Sequence, residues 1–266
     1  MGALFSMNIS KNNNKLNSYK AVFFDFGGTL MDAESDKKAH YHMMEEIKNI
    51  YELPPSVEEL VILYEKQLFN EDMTLKDNRK NNDANDDHFH KLYFYYELSL
   101  QYLLKQYGIK ATESDLRLFK NIYLKNHLKY ITLLEGVWEV LKLVKGKGYH
   151  CGIISDIDLD YQEVQFKALN LDQAFHSITT SEEVRSYKPA TPIFEAALKK
   201  ANCSGREALM IGDSYQRDIV GGKNMEMLTI WIDNYQKQAE QKNIFTDADF
   251  IVNELKEIIP ILKNVL

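Results

Sequence analysis

Hydrophobic and polar positions change texture twice along this chain. The first eighteen residues, MGALFSMNISKNNNKLNS, are rich in Asn, Lys and Ser without periodicity, and residues 1–18 read as a flexible lead-in. From Lys20 an apolar run, KAVFFDF, ends at Gly27-Gly28 and predicts a strand feeding a tight turn. Four more runs follow: YHCGIISD (149–156), EALMIGD (207–213), MLTIWID (227–233) and the shorter DFIV (249–252). A helical stretch near Val137 to Lys145 precedes the second, and a helix opened by Pro189 or Pro192 precedes the third. Apolar runs alternating with helical segments are the pattern of βα units around a parallel sheet. Asp25, Asp156 and Asp213 each close one of these runs, where an open parallel sheet places its ligands.

Between Met31 and about Ile131 the period is helical instead, as at Leu92, Tyr96, Leu100, Leu103 and Tyr107. Ser56 with Glu59 and Thr112 with Asp115 fit capping boxes, and Pro54-Pro55 separates a first helix from a second. The pattern predicts four helices inserted after the first strand, with a mobile polar loop over 70–87. The expected fold is therefore α/β: a doubly wound parallel sheet built from 19–32 and 133–266, with a four-helix insert over 33–132. The amphipathic tail KEIIPILKNVL is expected to pack on the sheet.

Composition narrows the function classes. The chain has 266 residues, 45% of them hydrophobic and 27% charged, which is globular. No apolar run approaches the ~20 residues of a bilayer span. A net charge of -7 argues against generic nucleic-acid binding. The 2 cysteines, Cys151 and Cys203, make no disulfide framework, and a cytoplasmic location is expected. Gly2 with Ser6 fits a myristoylation pattern that matches by chance often, so no membrane attachment is expected.

The sharpest stretch is FFDFGGTL (23–30), which puts a carboxylate at the sheet rim beside a turning backbone. It resembles motif I of the haloacid dehalogenase-like hydrolase superfamily. Ile154-Ser155-Asp156 looks like motif II, Lys188-Pro189 like motif III, and IGDSYQRDIVGGKNM (211–225), with Asp213 and Asp218, like motif IV. Each alone has an ordinary reading as turn or cap chemistry; four in order at strand ends do not. The resemblance implies a Rossmann-like core with a helical cap that selects substrates.

It also implies chemistry. Asp25 would be the nucleophile, forming an aspartyl-phosphate. Mg²⁺, a hard cation suited to oxygen ligands, would be held by Asp25, the carbonyl of Gly27 and Asp213. Asp218 would be a nearby ligand or an orienting partner for Lys188. Gly28, Ser155, Asp156 and Lys188 would surround the substrate phosphate, with Lys188 neutralising its developing charge. The chain departs from the family at Gly27, where its phosphatases carry a second Asp that protonates the leaving group. That help is worth roughly 10²–10⁴-fold, so a slow enzyme is expected. A substitute acid could come from the helical insert or from Asp156, though a cap pointing away is the expected role of Asp156.

The expected function is thus a Mg²⁺-dependent phosphatase of a small phosphorylated metabolite. The alternatives are a metal-free haloacid dehalogenase, disfavoured by Asp213 and Asp218, and a non-catalytic phosphate binder. A phosphonate hydrolase would need a cap lysine such as Lys37 or Lys38. The pairs His40/His42 and His88/His90 lack metal-site spacing. The aromatic run LYFYYEL (92–98) reads as the core of the insert, with one or two rings facing substrate.

Overall fold

The computed structural model describes residues 19–79, 91–233 and 247–266. Six parallel strands form one sheet in the order β3-β2-β1-β4-β5-β6. They are β1 (Ala21–Phe24), β2 (His150–Ser155), β3 (Ser177–Thr180), β4 (Ala208–Gly212), β5 (Leu228–Ile232) and β6 (Phe250–Val252). The chain builds outward from β1 through β2 to β3, then crosses to β4 on the other side. The crevice beyond the carboxyl end of β1 is therefore a switch point, the usual ligand site of such sheets.

Strand residues alternate between two cores. Val22 and Phe24 of β1 join Leu209 and Ile211 of β4 against α5 (Val137–Gly146), α6 (Leu159–Ala168) and α10 (Ile258–Val265). Ala21 and Phe23 face the opposite cluster, built with Ile193, Phe194 and Ala197 of α8 (Thr191–Lys200). Each large apolar side chain buried here contributes about 1.5–3 kcal/mol. Pro192, not Pro189, lies in the first turn of α8, with Ala190 at its N-cap. The tail helix α10 buries Ile258 and Leu262 on the sheet. Two short helices, α7 (Ser181–Val184) and α9 (Val220–Asn224), complete the α-helices of this layer among the described residues.

Between β1 and α5 lie α1 (Ala33–Tyr51), α2 (Val57–Arg79), α3 (Leu92–Gln106) and α4 (Glu113–Tyr130). They enclose a separate core that includes Met43, Leu60, Tyr64, Leu100, Phe119 and Tyr123. Both capping boxes form, at Ser56/Glu59 and Thr112/Asp115. The chain enters and leaves this layer side by side: Asp32 donates to the Thr132 carbonyl at 2.9 Å, and Leu134 to that of Leu30 at 2.8 Å. A further tie comes from Asp158, whose two carboxylate oxygens accept the Leu92 and Tyr93 amides at 2.9 and 3.0 Å. Asp158 thereby caps α3, which has no side-chain cap of its own.

One expectation is corrected here. Residues 70–79 are not loop but the last turns of α2; NEDMTLKDNR is polar yet has no Gly or Pro to break a helix. Residues 80–90, with His88 and His90, and the Gly2/Ser6 pattern lie outside the described residues. The strand β3 is an addition, a four-residue edge strand, SITT. Among the described residues no helix is long and apolar enough to cross a membrane, and both cysteines are free.

Candidate active site

Pairing of β1 with β4 fixes where Asp25 stands: its amide donates to the Ile211 carbonyl at 2.9 Å. The chain then folds back on itself, with Leu30 and Met31 both donating to the Phe26 carbonyl and Gly28 donating to that of Met31. Gly28 takes a φ of 79°, and a Cβ there would lie 2.4 Å from Asp213 Oδ2. The turn thus needs glycine twice, for its left-handed backbone and for the close approach of Asp213. Gly28→Ala is expected to fold but to displace the Asp213 carboxylate, lowering turnover by about 10²-fold. Phosphate-ester hydrolysis within threefold of wild type would contradict that account.

Lys188 is 1% exposed and holds the centre. Its ammonium donates to Asp25 Oδ1 and to Asp218 Oδ1, both at 2.6 Å, and to the Ile154 carbonyl at 3.1 Å. Burial alone would lower its pKa, but Asp218 and Asp25, with Asp156, outweigh burial and raise it. Lys188 is therefore a fixed cation. The second oxygen of Asp218 accepts the Ser214 amide at 3.0 Å, at the start of a wide helical turn over Tyr215–Ile219. Asp213 Oδ1 accepts from the Thr29 hydroxyl at 3.0 Å, and its carbonyl from the Trp231 indole at 2.9 Å.

Asp25, Asp213 and Asp218 each bring a carboxylate oxygen within 4.8 Å of the others. Burial, then the charge of Asp25, pushes the Asp213 carboxyl up; Asp218 is also raised, chiefly by burial, although Lys188 opposes the shift. Crowded carboxylates whose charged forms are disfavoured are the donor set a hard dication relieves. The residues present fit such an ion.

Asp156 departs from expectation. It does not point away as a cap; its Oδ1 accepts the Lys188 amide at 2.9 Å, so it holds the backbone that carries the lysine. The reason is local: Asp158, two residues on, stands at the N-cap position of α6 and turns its carboxylate to α3. Asp156 lines the site alongside Ser155, Gly27 and Gly28.

These groups form the floor of a cavity of about 400 Å³ roofed by the four helices. Tyr95 and Tyr96 of the aromatic run line it, while Tyr93 packs on Phe119 and Tyr123 inside the insert. Lys188 is its one lysine among the described residues. Lys37 is instead paired with Glu34 at 2.6 Å, and Lys38 lies over the Tyr130 ring, so neither serves a Schiff-base route. The cavity also gathers Asp36, His127 and Gln165, which motif reading did not single out, and His40, which it set aside. The one sequence signal was the i, i+4 spacing of Asp36 and His40 on a helix that starts beside motif I.

A parallel sheet with this lysine and these acids at its strand ends defines an α/β enzyme of hydrolase type. The sequence matches the haloacid dehalogenase-like hydrolase family over residues 73–232, and the chain belongs to it. That match begins beyond Asp25. The chain is 30% identical over 164 residues to a glyceraldehyde 3-phosphate phosphatase of Pyrococcus furiosus, covering 61% of this chain and 68% of the relative. It is 32% identical over 155 residues to the pyrophosphatase PpaX of Listeria welshimeri, covering 58% and 70%. In fold it resembles the putative HAD-hydrolase YfnB of Bacillus subtilis, solved bound to magnesium, with a TM-score of 0.73 at 20% identity over 92% of this chain and 98% of that one.

Proposed function

We propose that this chain is a Mg²⁺-dependent phosphatase of a small phosphorylated metabolite, with Asp25 as nucleophile. The observation that carries the reading is the contact of one buried lysine with Asp25 and Asp218, beside Asp213, on the floor of a cavity under the four helices. The phosphatase relatives support the reaction class. Residues 33–132 act as a cap over a core of 19–32 and 133–266.

In the first step an Asp25 oxygen attacks phosphorus and the bond from phosphorus to the leaving oxygen breaks, giving an aspartyl-phosphate. Lys188 keeps its charge beside the transferring group, and Asp156 fixes the Lys188 backbone. Ser155, at the end of β2, and Gly28 face the phosphate oxygens. Water then attacks phosphorus, the bond to Asp25 breaks, and phosphate leaves. Asp25, the Gly27 carbonyl and Asp213 would hold Mg²⁺, which when bound offsets the repulsion between carboxylate and phosphate and acts as a Lewis acid. Both oxygens of Asp218 already have protein partners, which suits it to orienting Lys188.

Gly27 offers no acid to the leaving group. A Cβ built on it meets nothing within 4 Å, so a side chain fits there. The test compares aryl and alkyl phosphates. Wild type is expected to cleave p-nitrophenyl phosphate, whose leaving group needs little protonation, and to cleave alkyl phosphates slowly. Gly27→Asp is expected to raise the alkyl rate by roughly 10²–10⁴-fold. An unchanged alkyl rate would mean that another group already supplies the proton, and absence of aryl phosphate turnover by folded protein would overturn the phosphatase reading.

A further inference from the structure

The peptide that joins Asp213 to Ser214 is fastened from both sides. Pairing of β4 with β5 ends at Gly212 opposite Trp231, and pairing of β4 with β1 ends at Ile211, so the Asp213 carbonyl lies past the ladder on both sides. A carbonyl there needs another donor, and the Trp231 indole supplies one at 2.9 Å. The Ser214 amide belongs to the same planar unit and donates to Asp218 Oδ2 at 3.0 Å. Asp218 Oδ1 accepts from Lys188, which also holds Asp25, both at 2.6 Å. A line of hydrogen bonds, bridged by one peptide plane, therefore runs from the Trp231 side chain to the candidate nucleophile.

The same plane aims the Asp213 carboxylate. Thr29 donates to its Oδ1 at 3.0 Å, and a Cβ on Gly28 would lie 2.4 Å from its Oδ2, so the group has little room to swing. Tilting the peptide would pull Asp213 off Thr29 or press it against the Gly28 backbone. Trp231 is itself held in place. It is 9% exposed and packs on Tyr215 with ring centroids 5.3 Å apart, and the Tyr215 hydroxyl donates to Asp247 at 2.9 Å. A large, rigid ring with a partnered N–H is well suited to fixing a backbone unit. Groups that hydrogen-bond metal ligands from behind orient them, and losing one costs roughly 10–100-fold in metal affinity or activity.

Resting on the phosphatase reading above, we propose that Trp231 is a positioning residue of the candidate metal site: its indole N–H sets the Asp213–Ser214 peptide, and through it the carboxylates of Asp213 and Asp218, for Mg²⁺. Trp231 acts through these two acids and not on the substrate. Because its N–H is bonded to the residue that would hold the ion, its fluorescence also reports whether the ion is bound.

The test uses the full chain and Mg²⁺ alone. The rise of melting temperature with Mg²⁺ concentration gives a binding midpoint without reference to turnover. Trp231→Phe keeps an aromatic ring in the packing and removes the N–H, and its midpoint is expected to rise on the order of tenfold. Ile232→Val trims the neighbouring buried residue of β5, weakens the core without touching Asp213, and is expected to keep the wild-type midpoint. A merely structural role for Trp231 would lower melting in both variants and leave both midpoints unchanged, which would overturn the inference. The chain has 2 tryptophans, and the other, Trp138, is 52% exposed. In Trp138→Phe the emission of Trp231 is expected to change saturably with Mg²⁺, at the midpoint found by melting. Emission that stays flat across that range overturns the inference even if Trp231→Phe does not fold. Either failure leaves the phosphatase reading standing while p-nitrophenyl phosphate turns over with Mg²⁺. A wild-type chain whose melting and turnover both ignore Mg²⁺ overturns the Mg²⁺-dependent reading and the inference with it.

Discussion

Replacing Asp25 by Asn is expected to cut phosphate-ester turnover by roughly 10⁴-fold or more while the protein stays folded. The amide keeps the size and planarity of the carboxylate but cannot displace a leaving group from phosphorus. Lys188 retains its 2.6 Å contact with Asp218, and the Asp25 backbone remains pinned to Ile211, so the site has no reason to collapse. Steady-state hydrolysis of p-nitrophenyl phosphate alongside thermal melting separates the two effects. Retention of more than a tenth of wild-type turnover would remove Asp25 from the chemistry.

Lys188→Met should strike both stability and rate. Methionine is of similar length and packs readily, so the change removes the charge more than the volume. Asp25 and Asp218, 6% and 0% exposed, would face each other without the cation that joins them. Leaving buried charge unpaired costs about 3–5 kcal/mol. Loss of the charge beside the transferring phosphoryl group should lower turnover by a further 10²–10³-fold or so. Chemical denaturation gives the stability change, and added Mg²⁺ should recover part of it if the carboxylate cluster binds a dication. A variant as stable as wild type would show that the two acids do not depend on this lysine.

The floor of the site was legible in the sequence because each of its members is a local feature. Buried parallel strands read as continuous apolar runs, and Asp25, Ser155 and Asp213 follow such runs directly. The edge strand β3 escaped notice because SITT is short, polar and half-buried at its start. The final turns of α2 were obscured by polar composition, which resembles loop composition when no apolar face marks it. Asp156 and Asp158 show a finer limit: they are two residues apart, and nothing in the chain says which one turns to Lys188 and which to α3. The helical end of the cavity was hidden for a different reason. Asp36 and His40 come from α1, His127 from α4 and Gln165 from α6, and only the docking of the helices on the sheet brings them together.

The most direct measurement of the central claim is release of p-nitrophenolate from p-nitrophenyl phosphate by the full chain, with saturating Mg²⁺ and after chelation. The proposed phosphatase turns over with Mg²⁺ and loses that turnover on chelation. A folded protein that leaves the phosphate ester intact under both conditions, but releases halide from a 2-haloacid in the presence of chelator, would contradict it.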